Sequence, residues 1–236
     1  MEQTPFQRAL SDADLPSVEV GGGAFSKLVP PAFGRRTADE DLALTLPRGE
    51  QPAARFETAL RALSPLGLRE ERLLRLAGPH YWFMTFHGAG KLDLFVDGVA
   101  DWDFRPGGSG CVYFVDDEPG PVISASGLLI CKLVANRPTG EDRLDAASLM
   151  VEPGIAPAEV AANARKNLAG PAGPQRLTGA LTTIINLFVD DRYVPDRDVL
   201  TSEQTRQLIV SRATQVRSAL ADFRPNAFPH PRESSR

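Results

Sequence analysis

Three adjacent carboxylates, Asp39-Glu40-Asp41, stand directly before the apolar segment LALTL, and a lone carboxylate, Asp93, stands inside the apolar segment KLDLFV. Close carboxylates repel. A solvated loop tolerates that at small cost, whereas a buried cluster needs a cation to offset it. Read as a strand, Asp39 and Asp41 are two residues apart and project from one face. Such a pair of hard oxygen donors suits Mg²⁺. Asp93 is flanked by Leu92 and Leu94, so its strand is a buried one, where an Asp is costly unless paired or metal-bound. If the Asp93 strand lies beside the Asp41 strand, three carboxylates converge, a set able to hold two Mg²⁺ ions roughly 3.5–4 Å apart. Upstream, Gly22 and Gly23 let backbone N–H groups approach a phosphate closely. Arg35 and Arg36, in the loop entering the acidic strand, are either phosphate ligands or solvated charges.

The elements that must position these residues follow from periodicity and punctuation. LPSVEVGGG ends in a glycine turn, and FSKLV starts a helix that Pro30-Pro31 stops. EDLALTLP reads as a buried strand ending at Pro47, and AARFETALRALSPLGL as a helix with Phe56, Leu60 and Leu63 on one side. REERLLRLAG is a strand candidate. HYWFMTF and KLDLFV, joined by the glycine-rich HGAG, form a hairpin. CVYFV and PVISA are further strand candidates around the turn Asp116 to Pro121. From Ser126 the pattern turns helical: SGLLICKLVANR, EDRLDAASLM, APAEVAANARKNL, LTGALTTIINLFV and TSEQTRQLIVSRATQVRSALADF, the last capped by Thr201 or Ser202. The fold class is therefore α/β (α+β): a mixed-sheet half over residues 1–125, a helical half over 126–225, and a frayed Pro-rich tail over 226–236.

Bulk properties exclude several classes. The chain has 236 residues, 42% hydrophobic and 24% charged, with a formal net charge of −4. That is an ordinary globular composition and not the footprint of a strongly basic nucleic-acid binder. Two cysteines, Cys111 and Cys131, without metal spacing argue against a disulfide scaffold and fit a reducing cytoplasm. His80, His87 and His230 are too scattered for a zinc set, and His87 falls at the hairpin turn. Trp82 and Trp102 read as packing residues. No signal-type segment opens the chain, and no apolar run approaches the roughly 20 residues of a membrane helix.

In this order, a glycine turn before a short helix, Asp-x-Asp on a strand and a later strand with a central Asp resemble the nucleotidyltransferase superfold. More narrowly, the chain resembles the AbiEii-type nucleotidyltransferase toxins. Gly22-Gly23 match the glycine turn, TADEDLAL the Asp-x-Asp strand, and GKLDLF the third-carboxylate strand. LLICKLVANRPTGEDRLDAASL resembles a helical segment whose lysine and downstream Asp face the nucleotide. The likeness covers about residues 18–150. It implies Asp39, Asp41 and Asp93 as metal ligands, Asp93 also as base, Lys132 and Asp145 at the nucleotide, and an NTP over Gly22, Gly23, Ser26 and Arg36. It also implies Mg²⁺ as cofactor and transfer of NMP to an acceptor hydroxyl of tRNA, another RNA or a protein. A toxin–antitoxin or defence role and a cognate antitoxin partner go with it. Two positions depart from the pattern: Ala24 where a Ser is usual, with Ser26 the nearest hydroxyl, and Glu40 where an apolar residue is usual. Read without the family, Lys132 is equally a snorkelling lysine, and Asp145 a plain ion-pair partner. A non-catalytic nucleotidyltransferase-like module and a small-molecule transferase are the rival functions. Arg165, Lys166, Arg206, Arg212 and Arg217 are expected to offer a basic wall to an RNA acceptor.

Overall fold

The computed structural model describes residues 3–30, 39–44, 52–76, 81–88, 90–96, 99–100, 112–113, 122–135, 140–169 and 172–223. Arg35, Arg36, Trp102, Cys111, the turn at 116–121 and the tail at 226–236 lie outside the described residues. The order of elements is α1 (Pro5–Asp12), β1 (Ser17–Glu19), α2 (Gly21–Leu28), β2 (Asp39–Leu44), α3 (Pro52–Leu63), β3 (Arg69–Leu76), β4 (Tyr81–His87) and β5 (Lys91–Val96). There follow β6 (Val99–Ala100), β7 (Val112–Tyr113), α4 (Ala125–Ala135), α5 (Glu141–Val151), α6 (Pro157–Asn167), β8 (Leu168–Ala169), α7 (Ala172–Val189) and α8 (Glu203–Ala219). The fold is mixed α/β.

The main sheet has five strands in the order β1-β2-β5-β4-β3. The β4–β5 hairpin expected from the sequence pairs antiparallel with His87 opposite Lys91. β5 then runs parallel to β2, which puts the two acidic strands side by side. β2 reads as an apolar run because both faces of the sheet are covered. Leu42 and Leu44 pack with Leu92, Leu94 and Phe86 against Leu10 of α1 and Ala59 and Leu63 of α3. Ala43 and Phe95 face the other way, into a larger cluster with Phe25 of α2 and residues of α4 to α8. The expected boundary at 125/126 falls inside the first turn of α4, and this apolar cluster runs across it from Val18 to Phe223.

Two local readings differ from the sequence expectation. α2 begins at Gly21, four residues before Phe25, so the glycines are its first turn and not a loop preceding it. Gly21 has φ +62°, a left-handed value that favours glycine. PVISA contributes only a bridge between Val122 and Glu19 before α4 starts. β8 was not foreseen: it is two residues long, follows α6 directly and joins β7 and β6 in a small second sheet. No helix among the described residues is long and apolar enough to cross a membrane.

Candidate functional site

The β2–β5 register sets Asp39 opposite Lys91 and Asp41 opposite Asp93. Partners in a parallel pair point to the same face, so Asp39, Asp41, Lys91 and Asp93 share one surface of the sheet. Thr85 of β4 is the next neighbour of Asp93 and donates its hydroxyl to Asp93 Oδ1 at 2.8 Å. Lys91 Nζ lies 2.7 Å from Asp39 Oδ2 and 3.1 Å from Asp93 Oδ2. Burial pulls the Lys91 ammonium down, but its hydrogen bonds to Asp39 and Asp93 prevail and hold it above its ordinary value. Asp39 and Lys91 are about one-third exposed, while the Asp93 side chain is buried at 8% exposure.

Asp41 is fixed from the other side by α2. Its carboxylate accepts from the Gly22 N–H at 3.2 Å, and its backbone carbonyl accepts from Val20 N–H. A Cβ on Gly21 would stand 2.0 Å from Asp41 Oδ2, so this position must be glycine for space as well as for its φ. Gly23 faces elsewhere: a Cβ there would collide with the carboxylate of Glu19, which is ion-paired to Lys27. Ser26, a turn further along, donates its hydroxyl back to Gly22 O. The glycine turn at the acidic cluster is thus Gly21-Gly22 and not Gly22-Gly23. Burial first, and the charge of Asp93 second, push the Asp41 carboxyl up to about 6. The Gly22 amide, Lys132 and Lys91 pull it partly back.

Glu40 points to the opposite face from its neighbours and accepts a hydrogen bond from Thr4 Oγ1. Thr4 is also the N-cap of α1, in a capping box with Gln7. The departure at Glu40 is therefore accommodated by the N-terminal helix and leaves the strand in place. Its carboxyl is raised by burial, partly offset by the Thr4 bond.

Lys132, on α4, is 4% exposed and lies 2.9 Å from Asp145 Oδ2 and 3.3 Å from Asp142 Oδ1, both on α5. Asp145 is fully buried and also meets Arg197 Nη2 at 2.5 Å. Arg197 donates to Ser148 at 2.9 Å and stacks over the Phe25 ring of α2 at 5.3 Å. Lys132 and Asp145 do stand together, but in a buried network that also takes in Asp142 and Arg197. The field of Lys132 still reaches Asp41.

The donor chemistry of the cluster fits a hard divalent cation: carboxylate oxygens only, with Asp41 held by one backbone amide. Yet among the described residues no three His, Cys, Asp or Glu side chains stand in a metal-holding arrangement. Lys91 lies between Asp39 and Asp93 instead. Arg36, expected at the triphosphate, lies outside the described residues.

No family model matches the chain, and no curated protein matches it. A cytoplasmic RNA terminal U-transferase of known structure is similar at 12% identity and a TM-score of 0.36, over 84% of this chain and 48% of that one. The chain spans about half the length of that protein.

The expected basic wall is largely committed elsewhere. Arg206 is buried and donates to the carbonyls of Tyr193 and Asp190. Arg212 donates to Met150 O and Glu152 O, both at 2.6 Å, which closes the C-terminal end of α5. Arg165 bonds the Ala219 carbonyl, and Arg217 reaches Thr182. Residues not singled out from the sequence include Gly21, Thr85, Lys91, Asp142 and Arg197. Lys91 was reachable, since it stands two residues before Asp93 and shares its strand face by the rule that pairs Asp39 with Asp41. Arg197 was not, because nothing local marks a loop arginine as the partner of an aspartate 52 residues away.

Proposed function

We propose that the chain is a divalent-cation-dependent nucleotidyltransferase that moves the NMP of an NTP onto an acceptor hydroxyl, forming a bond from that oxygen to the α-phosphorus as the α–β phosphoanhydride breaks and pyrophosphate leaves. The observation that supports this most is the direct pairing of Asp41 with Asp93 on parallel strands, closed on one side by the first turn of α2. Two carboxylates so placed, one raised to about 6 by burial and by the other, store a demand for positive charge. Mg²⁺ held by Asp41 and Asp93, with Asp39 beside them, would supply that charge and stabilise the triphosphate in transfer. The chain's own groups do the rest. The N-terminal end of α2 favours an anionic phosphate through its dipole, while its Gly22 N–H holds Asp41 in place. Asp93 takes the acceptor's proton; Thr85 and Lys91 fix its two oxygens beforehand. Lys132 adds positive potential at Asp41 while paired to Asp142 and Asp145. The acceptor we favour is an RNA 3′ end, in a toxin neutralised by a cognate antitoxin. That part is supported only by the resemblance of the acidic and helical segments to the AbiEii-type toxins.

A second reading has its own support: a nucleotidyltransferase-like module that binds nucleotide without transferring it. Lys91 already bridges Asp39 and Asp93, and Lys132 is already neutralised by Asp142 and Asp145. Incubating the protein with each α-labelled NTP, Mg²⁺ and total RNA separates the two. Label in RNA or protein supports transfer, bound but unreacted NTP supports the module, and no binding of any NTP contradicts both.

A further inference from the structure

Arg197 lies in the connection between α7 and α8, 52 residues from the aspartate it meets on α5. That connection is held at both ends. Arg206 donates to the Asp190 and Tyr193 carbonyls at 2.6 and 2.8 Å, and Leu200 is fully buried. The Arg197 guanidinium turns its terminal nitrogens toward α5, Nη2 to Asp145 Oδ1 at 2.5 Å and Nη1 to Ser148 Oγ at 2.9 Å. Asp145 and Ser148 are three residues apart on one helix face, and both are fully buried. Two such bonds fix the guanidinium plane, and its carbon stands 5.3 Å from the centroid of the Phe25 ring. Phe25 is buried on α2, one turn after Gly21. Gly21 and Gly22 are the residues that close on the Asp41 carboxylate.

We propose that Arg197 is a positioning residue: anchored to α5 and stacked on Phe25, it sets how the first turn of α2 seats on the Asp41 carboxylate. The proposal deepens the nucleotidyltransferase reading and rests on it for the use of that seating, the reception of a triphosphate at α2. An apolar side chain could fill the same space without the cost of burying a charge. The guanidinium adds direction, since it holds α5 by its edge and Phe25 by its face, which a lysine cannot do at once. The seating leaves little slack. A Cβ on Gly21 would already collide with Asp41, and the Gly22 N–H spans 3.2 Å to Oδ2. An outward shift of α2 by about 1 Å breaks that hydrogen bond.

The test is nuclear magnetic resonance of the isotope-labelled full chain carrying Arg197→Lys and Phe25→Leu, singly and together. We expect each single variant to shift the Gly22 amide proton and to speed its exchange at least about tenfold, while the amides of the β4–β5 hairpin keep their wild-type protection. The double variant should be no worse at Gly22 than the worse single one, because both changes break the same contact. Binding of α-labelled NTP in Mg²⁺, read on filters, should weaken at least about tenfold in each variant. If Arg197→Lys does not fold, Ser148→Ala, which frees one side of the guanidinium, takes its place with the same selective change expected. A Gly22 amide at its wild-type position and rate, a loss of protection spread evenly over sheet and helices, or additive effects in the double variant would overturn the proposal. A wild type that binds no NTP would overturn the use of the seating together with the nucleotidyltransferase reading, an outcome distinct from an unmoved Gly22 signal.

Discussion

Asp41→Asn, in EDTA, should make the protein more stable at neutral pH while disabling the site. The Asp41 carboxyl rises from an ordinary 3.8 to about 6 on folding. At 1.36 kcal/mol per pH unit, that is roughly 3 kcal/mol of cost to the ionised folded state. The sign follows from proton affinity. The folded state holds this proton more tightly than the unfolded chain, so stability falls as pH rises from about 4 to 6, and the whole cost is present above that window. Asparagine keeps an oxygen to accept from Gly22 N–H and carries no charge, so it escapes the cost. The variant should melt about 6–12 °C higher than wild type at pH 7.5, taking roughly 2–4 °C per kcal/mol for a chain of this size. At pH 4.5 the advantage should shrink to about 1 kcal/mol. Mg²⁺ should raise the wild-type melting temperature and leave the variant's alone, since a ligand stabilises only the state that binds it. Differential scanning fluorimetry across pH, with and without Mg²⁺, reads all of this. A variant no more stable than wild type at pH 7.5, or equally advantaged at both pH values, would refute the reasoning.

Gly21→Ala should lose at least about 2 kcal/mol, from the left-handed φ and the collision with Asp41, and should lose nucleotide binding; wild-type melting and binding would show that the close approach is wrong. Asp145→Asn removes the carboxylate shared by Lys132 and Arg197, leaves buried positive charge that Asp142 alone does not offset, and should cost about 3–5 kcal/mol in urea unfolding; a loss below about 1 kcal/mol would contradict a buried network. Arg212→Ala should cost about 2 kcal/mol by freeing the Met150 and Glu152 carbonyls, with RNA affinity unchanged; unchanged stability with weakened RNA binding would restore the basic wall.

The sheet was legible because its strands are short apolar runs bounded by turn residues and its hairpin carries its own glycine turn. The side-by-side placement of Asp41 and Asp93 followed from parity once the strands were neighbours. What the sequence hid was the pairing of charges over long separations. A lysine on an apolar helix reads equally as snorkelling or as ligand-facing; only the packing of α4 on α5 commits Lys132 to Asp142 and Asp145. Arginines on α8 read as a basic surface because the carbonyls they meet, at Met150, Glu152, Asp190 and Tyr193, have no side-chain signature. The glycine triplet read as a loop because glycine opposes helix, and the constraint at Gly21 comes from Asp41, twenty residues on.

The most direct test of the central claim is a crystal soaked with Mn²⁺ and a non-hydrolysable NTP, examined by anomalous diffraction. An anomalous peak bonded to the carboxylates of Asp41 and Asp93 is expected, with the triphosphate against the first turn of α2. Nucleotide bound elsewhere, or ordered nucleotide with no peak at Asp41 and Asp93, would contradict it.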